Sequence, residues 1–440
     1  MHKAYYKILA LLMLLLSLTT LEAFAGEYDK YTTLLRNPKT PSTGSNIAKH
    51  FLVYPFEIIR WPMDKALVTT EKYALDTKTL WAYEKLVERG ITPHYQSLSG
   101  SFVQSLFGAE VDFVNLFNQR QNVPDAVVKS WIDYAHDIYF GVGSQVGVNR
   151  MGDLPIHSFA TVKYENRPQE KFYGIGPNSS AGDGTAYKME ETFIEGLIGA
   201  NPTQFLTTDL KFAYQNINIT EGEHDGAGIV DKQFFPRRIP GIAGDDILST
   251  TLEIAHDTRN QKEDSNRGGK RSLGFGWHKG VNESDADYFK YRAEASQYFT
   301  LGSEKRVLAV RALGEHNAQT SDGYVPFYQM ARLGGFGDNP TLTRTMRGYD
   351  DNRFYDRSAL LGNLEYRYRI WQYREMKTDA VVFFDEGQVF GNFSKLKFSN
   401  FRESYGGGFR FALANHILFS VEIAHGDEGT NFYVRSNAPF

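Results

Sequence analysis

The sequence contains no cysteine among its 440 residues. This absence excludes a disulfide framework, a thiolate metal site and a cysteine nucleophile. Beyond residue 25 there is also no apolar run of about 18 residues, which excludes a multi-helix membrane protein. Positive and negative charges nearly balance, with 48 Lys and Arg against 52 Asp and Glu, and the formal net charge is −4. A strongly basic nucleic-acid binder is therefore excluded, and we predict no nucleic-acid partner.

Aromatic residues and glycine are abundant, whereas proline is scarce. The chain has 26 Tyr, 32 Phe and 5 Trp, together with 40 Gly and only 15 Pro. Apolar residues make up 42% of the chain, slightly below the range of roughly 45–50% usual for globular proteins. This composition is typical of an outer-membrane or other all-β protein rather than of an α/β enzyme.

Residues 1–25 have the features of a secretory signal peptide. Lys3 and Lys7 precede an apolar run over residues 8–18, and the segment ends in Ala-Phe-Ala at residues 23–25. A membrane anchor is the alternative, but the run is short and the small residues are placed for cleavage. We predict cleavage after Ala25 and, with the strand pattern below, a location in the outer membrane of a Gram-negative bacterium.

Residues 26–96 are predicted to be a periplasmic lead followed by a small docked element. The first part is polar and rich in turn residues, whereas apolar residues recur at helical spacing between Leu80 and Val87. Gly90 is expected to end that helix, and Pro93 is expected to prevent the helix from resuming after it.

From about residue 97 the apolar pattern has a period of two. The clearest strand runs from Leu360 to Trp371, with Leu364 and Tyr366 on one face and Glu365 and Arg367 on the other. Other segments repeat the scheme, including those around residues 248–254, 272–278, 289–296 and 417–423. One face is apolar and aromatic, and the opposite face is polar and often charged.

This alternation favours a barrel whose apolar face contacts lipid. A water-soluble barrel needs an apolar interior, and a soluble β-sandwich remains the alternative. A closed sheet in lipid pairs every backbone group and tolerates charge inside. We therefore predict an all-β fold, with residues 97–440 forming a transmembrane antiparallel β-barrel and outer-membrane lipid as its surroundings.

An even number of strands is expected, about sixteen or else about fourteen. Thirteen segments are clear, residues 97–118 can supply one or two more, and 169–177 another. Short turns near 150–155, 199–203, 301–303, 372–377 and 414–415 are predicted to lie on the periplasmic side. Long loops over 218–245, 316–357 and 391–402 are predicted to be extracellular.

The longest loop contains an ordered set of motifs that continues into the strands after it. The motifs are Gly334-Gly335-Phe336-Gly337, Met346-Arg347-Gly348-Tyr349, Asn363-Leu364-Glu365-Tyr366-Arg367 and Val382-Phe383-Phe384-Asp385-Glu386-Gly387. Phe432, Val434 and Phe440 alternate at the C-terminus in the pattern of a barrel assembly signal. Together these features resemble the bacterial surface antigen superfamily, the sixteen-stranded outer-membrane barrels related to BamA and TamA.

The resemblance implies that the long loop folds back into the lumen. Arg347 would then pair with Asp385, and Glu365 would be a second acidic partner; the face on which Asp385 lies is ambiguous, because Phe383 shares its parity. A guanidinium in a narrow lumen needs a carboxylate in fork geometry, and Gly348 allows a tight turn. The pair is either a structural latch or a latch that also switches during function.

The resemblance also implies a role in assembling or translocating other proteins. Unfolded outer-membrane or secreted proteins would be the clients, and a weak seam between first and last strands could template an incoming strand. Residues 26–96 show no repeat that resembles the POTRA domains of well-studied relatives. A passive channel or a structural surface protein is the alternative. We predict no enzymatic activity, catalytic residue, cofactor or metal, because the chain has no G-x-S-x-G, H-E-x-x-H or phosphate-loop motif.

Overall fold

The computed structural model describes residues 85–86, 88–97, 105–113, 126–135, 139–222, 228–229, 239–262, 264–335, 346–373, 376–413 and 416–435. The chain divides into two compact units, one of residues 1–89 with 370–373 and one of residues 90–369 with 374–440. In the first unit, residues 85, 86 and 88 are helical. The predicted signal peptide and most of the predicted periplasmic segment lie outside the described residues.

The second unit is built on a sixteen-stranded antiparallel sheet. Its strands are β1 (Ile91–Ser97), β2 (Ser105–Asp112), β3 (Ala126–Ala135), β4 (Tyr139–Val148), β5 (Ile156–Phe172), β6 (Thr185–Thr203), β7 (Leu206–Glu221), β8 (Gly244–Asp257), β9 (Gly268–Val281), β10 (Asp287–Thr300), β11 (Arg306–Gln319), β12 (Ser358–Tyr373), β13 (Met376–Phe390), β14 (Arg402–Leu413), β15 (His416–Gly426) and β16 (Gly429–Arg435). The predicted all-β class and strand number are confirmed.

The strands follow one another as an antiparallel meander. Each pairs with its neighbour in sequence from β1 to β16. Cα atoms of β1 and β16 approach within 8 Å of each other. The sheet therefore curls until its first and last strands lie side by side at a seam.

The two faces of the sheet differ as the alternation predicts. On β12, Leu364 is 44% exposed, whereas Glu365 and Arg367 are 0% and 2% exposed. The same outward apolar face continues over the other strands, where Ile132, Ile194, Leu273 and Val382 are among the exposed residues. The side chain of Phe419 lies outside the described residues. The apolar face of the sheet therefore points outward, and the charged face lines the interior.

Three strand predictions were wrong and offset one another. β1 begins at Ile91, inside the segment predicted to be periplasmic, so residues 97–118 supply in full only β2. Residues 169–177 are not a separate strand, because β5 continues to Phe172 across an irregularity in register between Arg167 and Glu170. Pro168 lies at that irregularity and has no N–H to donate, so the sequence there looked like a break.

The sequence pattern does not predict strand β3, because its inward face mixes apolar residues with the charged Lys129 and Asp133. Trp131 points inward, and its ring occupies the space where Gly143 of the neighbouring strand has no side chain, since a Cβ there would be 2.3 Å from the ring. With Ile132 and Tyr134 exposed on the other face, both faces of β3 carry apolar residues. The period-two signal is consequently weak.

The longest loop, residues 320–357, folds into the interior near one end of the sheet. Its described parts contain two short strands that pair with each other, Ala331–Leu333 and Phe354–Asp356. Phe327 and Tyr355 from this loop pack against Phe172 and Tyr187 of the wall, with ring centroids 5.0–5.1 Å apart. A two-residue strand, Gly228–Ile229, pairs in parallel with the start of β6. The described residues also contain four single-turn 3₁₀ helices: Ala181–Asp183, Phe327–Gln329, Phe393–Lys395 and Phe398–Asn400. In the part of the chain that the structure describes, no helix has the length and apolarity to cross a membrane.

Candidate functional site

The inward tip of the long loop brings Arg347 against the charged wall. Glu365, Asp385 and Glu422 approach it from β12, β13 and β15, and Arg410 lies beside them on β14. Glu365, Arg410 and Glu422 each lie between two outward apolar neighbours, so the period of two alone directs them inward. Asp385 lies between Phe384 and Glu386, so its neighbours give a weaker signal. We call Arg347, Glu365, Arg367, Asp385, Arg410 and Glu422 the lumen cluster.

Arg347 binds Asp385 through a two-point fork. Its Nε donates to Oδ2 at 2.7 Å and its Nη2 donates to Oδ1 at 2.8 Å. The backbone N–H of Arg347 also donates to Oδ2, at 3.0 Å. This geometry suits the planar guanidinium and could not be reproduced by lysine. The structure thus brings together the two residues that the sequence motif pairs.

The other guanidinium nitrogen of Arg347 reaches two further carboxylates. Its Nη1 donates to Oε2 of Glu365 at 2.9 Å and to Oε2 of Glu422 at 3.1 Å. Arg410 spans the same two carboxylates, donating to both oxygens of Glu365 at 2.7 and 2.6 Å. Arg367 donates to Glu365 at 2.7 Å. Three arginines therefore balance three carboxylates, and a neutral set of charges is what a buried site tolerates.

Phe383 explains why an apolar residue shares the inward face with Asp385. The Cζ of Arg347 lies 3.4 Å from the centroid of the Phe383 ring. A guanidinium stacked on an aromatic face gains a cation–π interaction that is strongest when both groups are desolvated. The ambiguous parity in the sequence is thus resolved: Phe383 and Asp385 both point inward and contact the same arginine.

Two glycines allow the loop to approach the wall closely. Gly348 has a φ of 88°, and a Cβ there would lie 3.0 Å from backbone atoms of Gly426 and His425. A Cβ on Gly387 would lie 2.9 Å from Cδ1 of Leu333, a residue of the folded-back loop. Glycine is the residue that accepts such a φ and such contact without strain.

The tip also contacts the last strand. Tyr433 of β16 accepts a hydrogen bond from the Gly348 N–H and donates one to the Tyr349 carbonyl, both at 3.0 Å. The hydroxyl of Tyr349 donates to the Glu403 carbonyl at 2.9 Å. The tip of the loop is therefore attached to the strand that forms one side of the seam.

Replacing Tyr433 with phenylalanine is expected to lower the free energy of unfolding by roughly 1–3 kcal/mol. The change leaves a buried N–H and a buried carbonyl without the hydroxyl that serves both. The urea midpoint of the detergent-solubilised barrel measures the effect, with Tyr405→Phe as the control, because Tyr405 is 60% exposed on the outer face. Equal midpoints for the two variants would contradict this assignment.

A second set of contacts extends the loop across the interior. The guanidinium of Arg353 donates two hydrogen bonds to the carboxylate of Glu428, in the turn between β15 and β16: Nη2 to Oε1 at 2.7 Å and Nε to Oε2 at 2.8 Å. Its Nη1 donates to the hydroxyl oxygen of Ser179, in the loop after β5, at 2.9 Å, and its Nη2, which also contacts Glu428, donates to the Ser179 carbonyl at 2.6 Å. Tyr173 donates to Asp350 at 2.7 Å. The loop therefore connects the β5–β6 side of the sheet to its final hairpin.

Arg347 remains charged in this environment. Burial disfavours the charged guanidinium, but Asp385, Glu422 and Glu365 outweigh that penalty and raise the pKa of Arg347 well above its usual range. The guanidinium therefore keeps its charge despite its burial.

The C-terminal signal residues are only partly placed. Phe432 is 55% exposed on the outer face and Val434 is half-buried on the same face, whereas Phe440 lies outside the described residues. The sequence reading did not assign Arg410, Glu422 or Tyr433 to the site, although Glu422 had been placed on the polar face. Their alternation indicated which way they point, but not that they lie at the depth of Arg347.

Comparison with known proteins agrees with this geometry. Residues 139–434, more than half of the chain, match the Omp85 superfamily domain. The chain belongs to the Omp85 superfamily. The resemblance to BamA-type barrels drawn from the loop motifs is thereby confirmed, and the fold is an outer-membrane barrel fold. A search of curated proteins found no match.

Solved Omp85 barrels have the same fold at low sequence identity. BamA from Haemophilus ducreyi lacking POTRA domains 1–3 aligns with a TM-score of 0.56 and 14% identity, covering 79% of this chain and 69% of that chain. CdiB from Escherichia coli aligns with a TM-score of 0.50 and 11% identity, covering 79% of this chain and 62% of that one. The chain thus spans less than two thirds of the length of this CdiB.

Proposed function

We propose that this Omp85 barrel assists the insertion or translocation of other proteins at the outer membrane. The observation that carries the proposal is the position of the loop tip, which is bound through Tyr433 and Arg353 to the final hairpin beside the seam. A loop that holds one side of a seam can control whether that side separates from the other. The lumen cluster is then a latch that also takes part in function.

The two strands of the seam come from opposite ends of the sheet. β1 and β16 approach within 8 Å of each other, whereas the strands between them each pair with a neighbour on both sides. A seam that separates exposes a strand edge, which could pair with a strand of a client protein.

The long loop fills one end of the interior, and this favours a role in protein insertion or translocation over that of a passive channel. Phe327, Met330, Leu333, Met346 and Tyr355 from the long loop are all buried there. A freely open pore needs a continuous aqueous path, whereas a packed loop obstructs one. We propose that this end is extracellular and that a cleaved signal peptide directs the chain across the inner membrane.

The test is reconstitution of the full chain in liposomes with a urea-unfolded outer-membrane barrel as client. Folding of the client, followed by its heat-sensitive gel mobility, is expected to be faster than in empty liposomes. Because the chain has no cysteine, disulfides can be introduced between residues 91–97 and 429–435 without background. A pair that locks the seam should abolish the acceleration, and a reducing agent should restore it.

A matched control locks two strands away from the seam. Ala109 and Ile132 are cross-strand partners of β2 and β3, so an Ala109→Cys, Ile132→Cys disulfide should leave the acceleration intact. Equal activity of the seam-locked and control proteins would overturn the proposed mechanism. A stable single-channel conductance together with no effect on client folding would favour the passive channel instead.

A further inference from the structure

The outer wall has a groove that is not part of the lumen cluster or the seam. It crosses β8 to β13, has a volume of about 400 Å³, and is lined almost entirely by apolar side chains. It lies on the face that contacts hydrocarbon, among exposed residues such as Leu273 and Phe275. An occupant of this groove therefore comes from the bilayer rather than from water.

The depth of the groove comes from small residues between large ones. Leu273, Ala293, Gly314 and Leu360 are successive cross-strand partners on β9, β10, β11 and β12. Ala293 and Gly314, in the middle, have a small side chain or none, whereas the side chains of Leu273 and Leu360 project from the wall on either side. A Cβ on Gly314 would already approach Cδ2 of Leu360 to 3.3 Å. The notch spans the two strands between the leucines, roughly 14 Å from one leucine Cα to the other at about 4.8 Å per strand, which leaves room for an acyl chain.

Aromatic rings border the groove toward the end where the long loop lies. Phe275, Tyr291 and His316 occupy neighbouring strands, with ring centroids 5.3 and 6.2 Å apart, and Phe393 lies 5.0 Å from His316. Aromatic rows of this kind mark the level at which a barrel passes from hydrocarbon to lipid headgroups. The groove therefore reaches the headgroup level at this end.

Basic residues follow directly at that level. Phe393 begins the 3₁₀ helix that ends at Lys395, and both Lys395 and Lys397 are exposed. Arg357 and Lys395 both lie near the buried carboxylate of Asp356. Together with the exposed Lys397, they place three cations at this rim. Its charge complements an anionic headgroup placed above an apolar groove.

We propose that the groove binds one phospholipid of net negative charge, with an acyl chain between Leu273 and Leu360 and the anionic headgroup at Lys395 and Lys397. The apolar groove selects a chain of hydrocarbon, and the two lysines select negative charge. Neither feature alone distinguishes this lipid from the surrounding bilayer, but the two together do. The site is independent of the role in protein assembly.

Native mass spectrometry of the full chain, released from nanodiscs of equal phosphatidylglycerol and phosphatidylcholine, tests the site. The wild-type barrel is expected to retain one phosphatidylglycerol. Gly314→Leu should fill the notch and reduce retention at least about tenfold. Its control is Gly196→Leu, an outward glycine of β6 whose Cβ would meet no atom within 4 Å. Heat-sensitive gel mobility verifies that every variant is folded.

A second variant tests the headgroup. Lys395→Ala with Lys397→Ala should weaken retention of phosphatidylglycerol roughly thirtyfold, since each of the two surface cations contributes on the order of 1 kcal/mol to anionic lipid binding. Phosphatidylcholine should be unaffected, and Lys305→Ala at the opposite end should change nothing. Unchanged retention in Gly314→Leu, or equal loss of both lipids in the lysine variant, would overturn the proposal. So would displacement of the lipid by inorganic phosphate, which would indicate a phosphate site without an acyl chain.

Discussion

Replacing Arg347 with alanine is expected to lower the free energy of unfolding by roughly 3–5 kcal/mol. The change leaves Asp385, Glu365 and Glu422 with only Arg410 and Arg367, so one buried negative charge is uncompensated. It also removes the cation from the face of Phe383. The urea midpoint in detergent measures the loss. Lysine at position 347 should recover only part of it, because an ammonium cannot make the two-point contact.

A control and a second substitution separate burial from charge. Lys211→Ala breaks an ion pair with the partly exposed Glu253 and should cost less than about 1 kcal/mol. Arg347→Ala combined with Asp385→Asn restores the balance of charges, and should unfold later than Arg347→Ala alone. If the single and double variants unfold together, the stability does not come from charge compensation in the lumen cluster.

Replacing Gly348 with valine is expected to displace the tip of the loop. A β-branched residue at a φ of 88° is strained by roughly 1–3 kcal/mol, and its Cβ would lie 3.0 Å from backbone atoms of Gly426 and His425. Overpacking adds about 1–3 kcal/mol. Since the backbone of Arg347 and Tyr349 would move with it, the bonds to Asp385 and Tyr433 should also weaken.

Limited proteolysis of the folded barrel measures this displacement directly. Cleavage within residues 320–357 should become faster in Gly348→Val, while the strands remain protected. The control is Gly196→Val, which places the same side chain on the outer face, where a Cβ meets no atom within 4 Å. Cleavage of the loop at the wild-type rate would show that the close approach at Gly348 does not position the tip.

The two variants distinguish a latch from a switch when client folding is also measured. A purely structural latch predicts that both variants lose client-folding activity only in proportion to their loss of folded protein. A latch that switches predicts altered activity per folded molecule, because the tip also holds Tyr433 beside the seam. Activity normalised to the folded fraction separates the two interpretations.

Much of the fold could be predicted from sequence because a period of two reports which face of a strand meets lipid. The directions in which Leu364 and Arg367 point could be predicted without tertiary information, since hydrocarbon outside and water inside favour opposite kinds of side chain at alternate positions. The strand number was right for a partly wrong reason. Trp131 places an apolar residue on the inward face of β3, which weakens its alternation of apolar and polar residues. Pro168 interrupts the pattern of β5, so one strand was predicted as two.

The site was only partly predictable. Arg347, Glu365 and Asp385 were found because local motifs of a known family carry them. Arg410, Glu422 and Tyr433 lie on ordinary alternating strands, with nothing local to distinguish them from the other inward polar residues. Arg410 lies opposite Ser420, and Glu422 lies opposite Tyr433. These pairings set the depth at which each inward side chain meets the loop.

The sequence by itself determined the lipid-facing barrel, the length of its longest loop and the arginine that the loop carries inward. Only the tertiary structure decided which carboxylates surround Arg347, that Phe383 supports it, and that the tip is attached to the last strand. The physical reason is that alternation specifies a direction for each side chain. The depth of that side chain depends on the stagger of hydrogen-bonded strands around the barrel, which no single strand encodes.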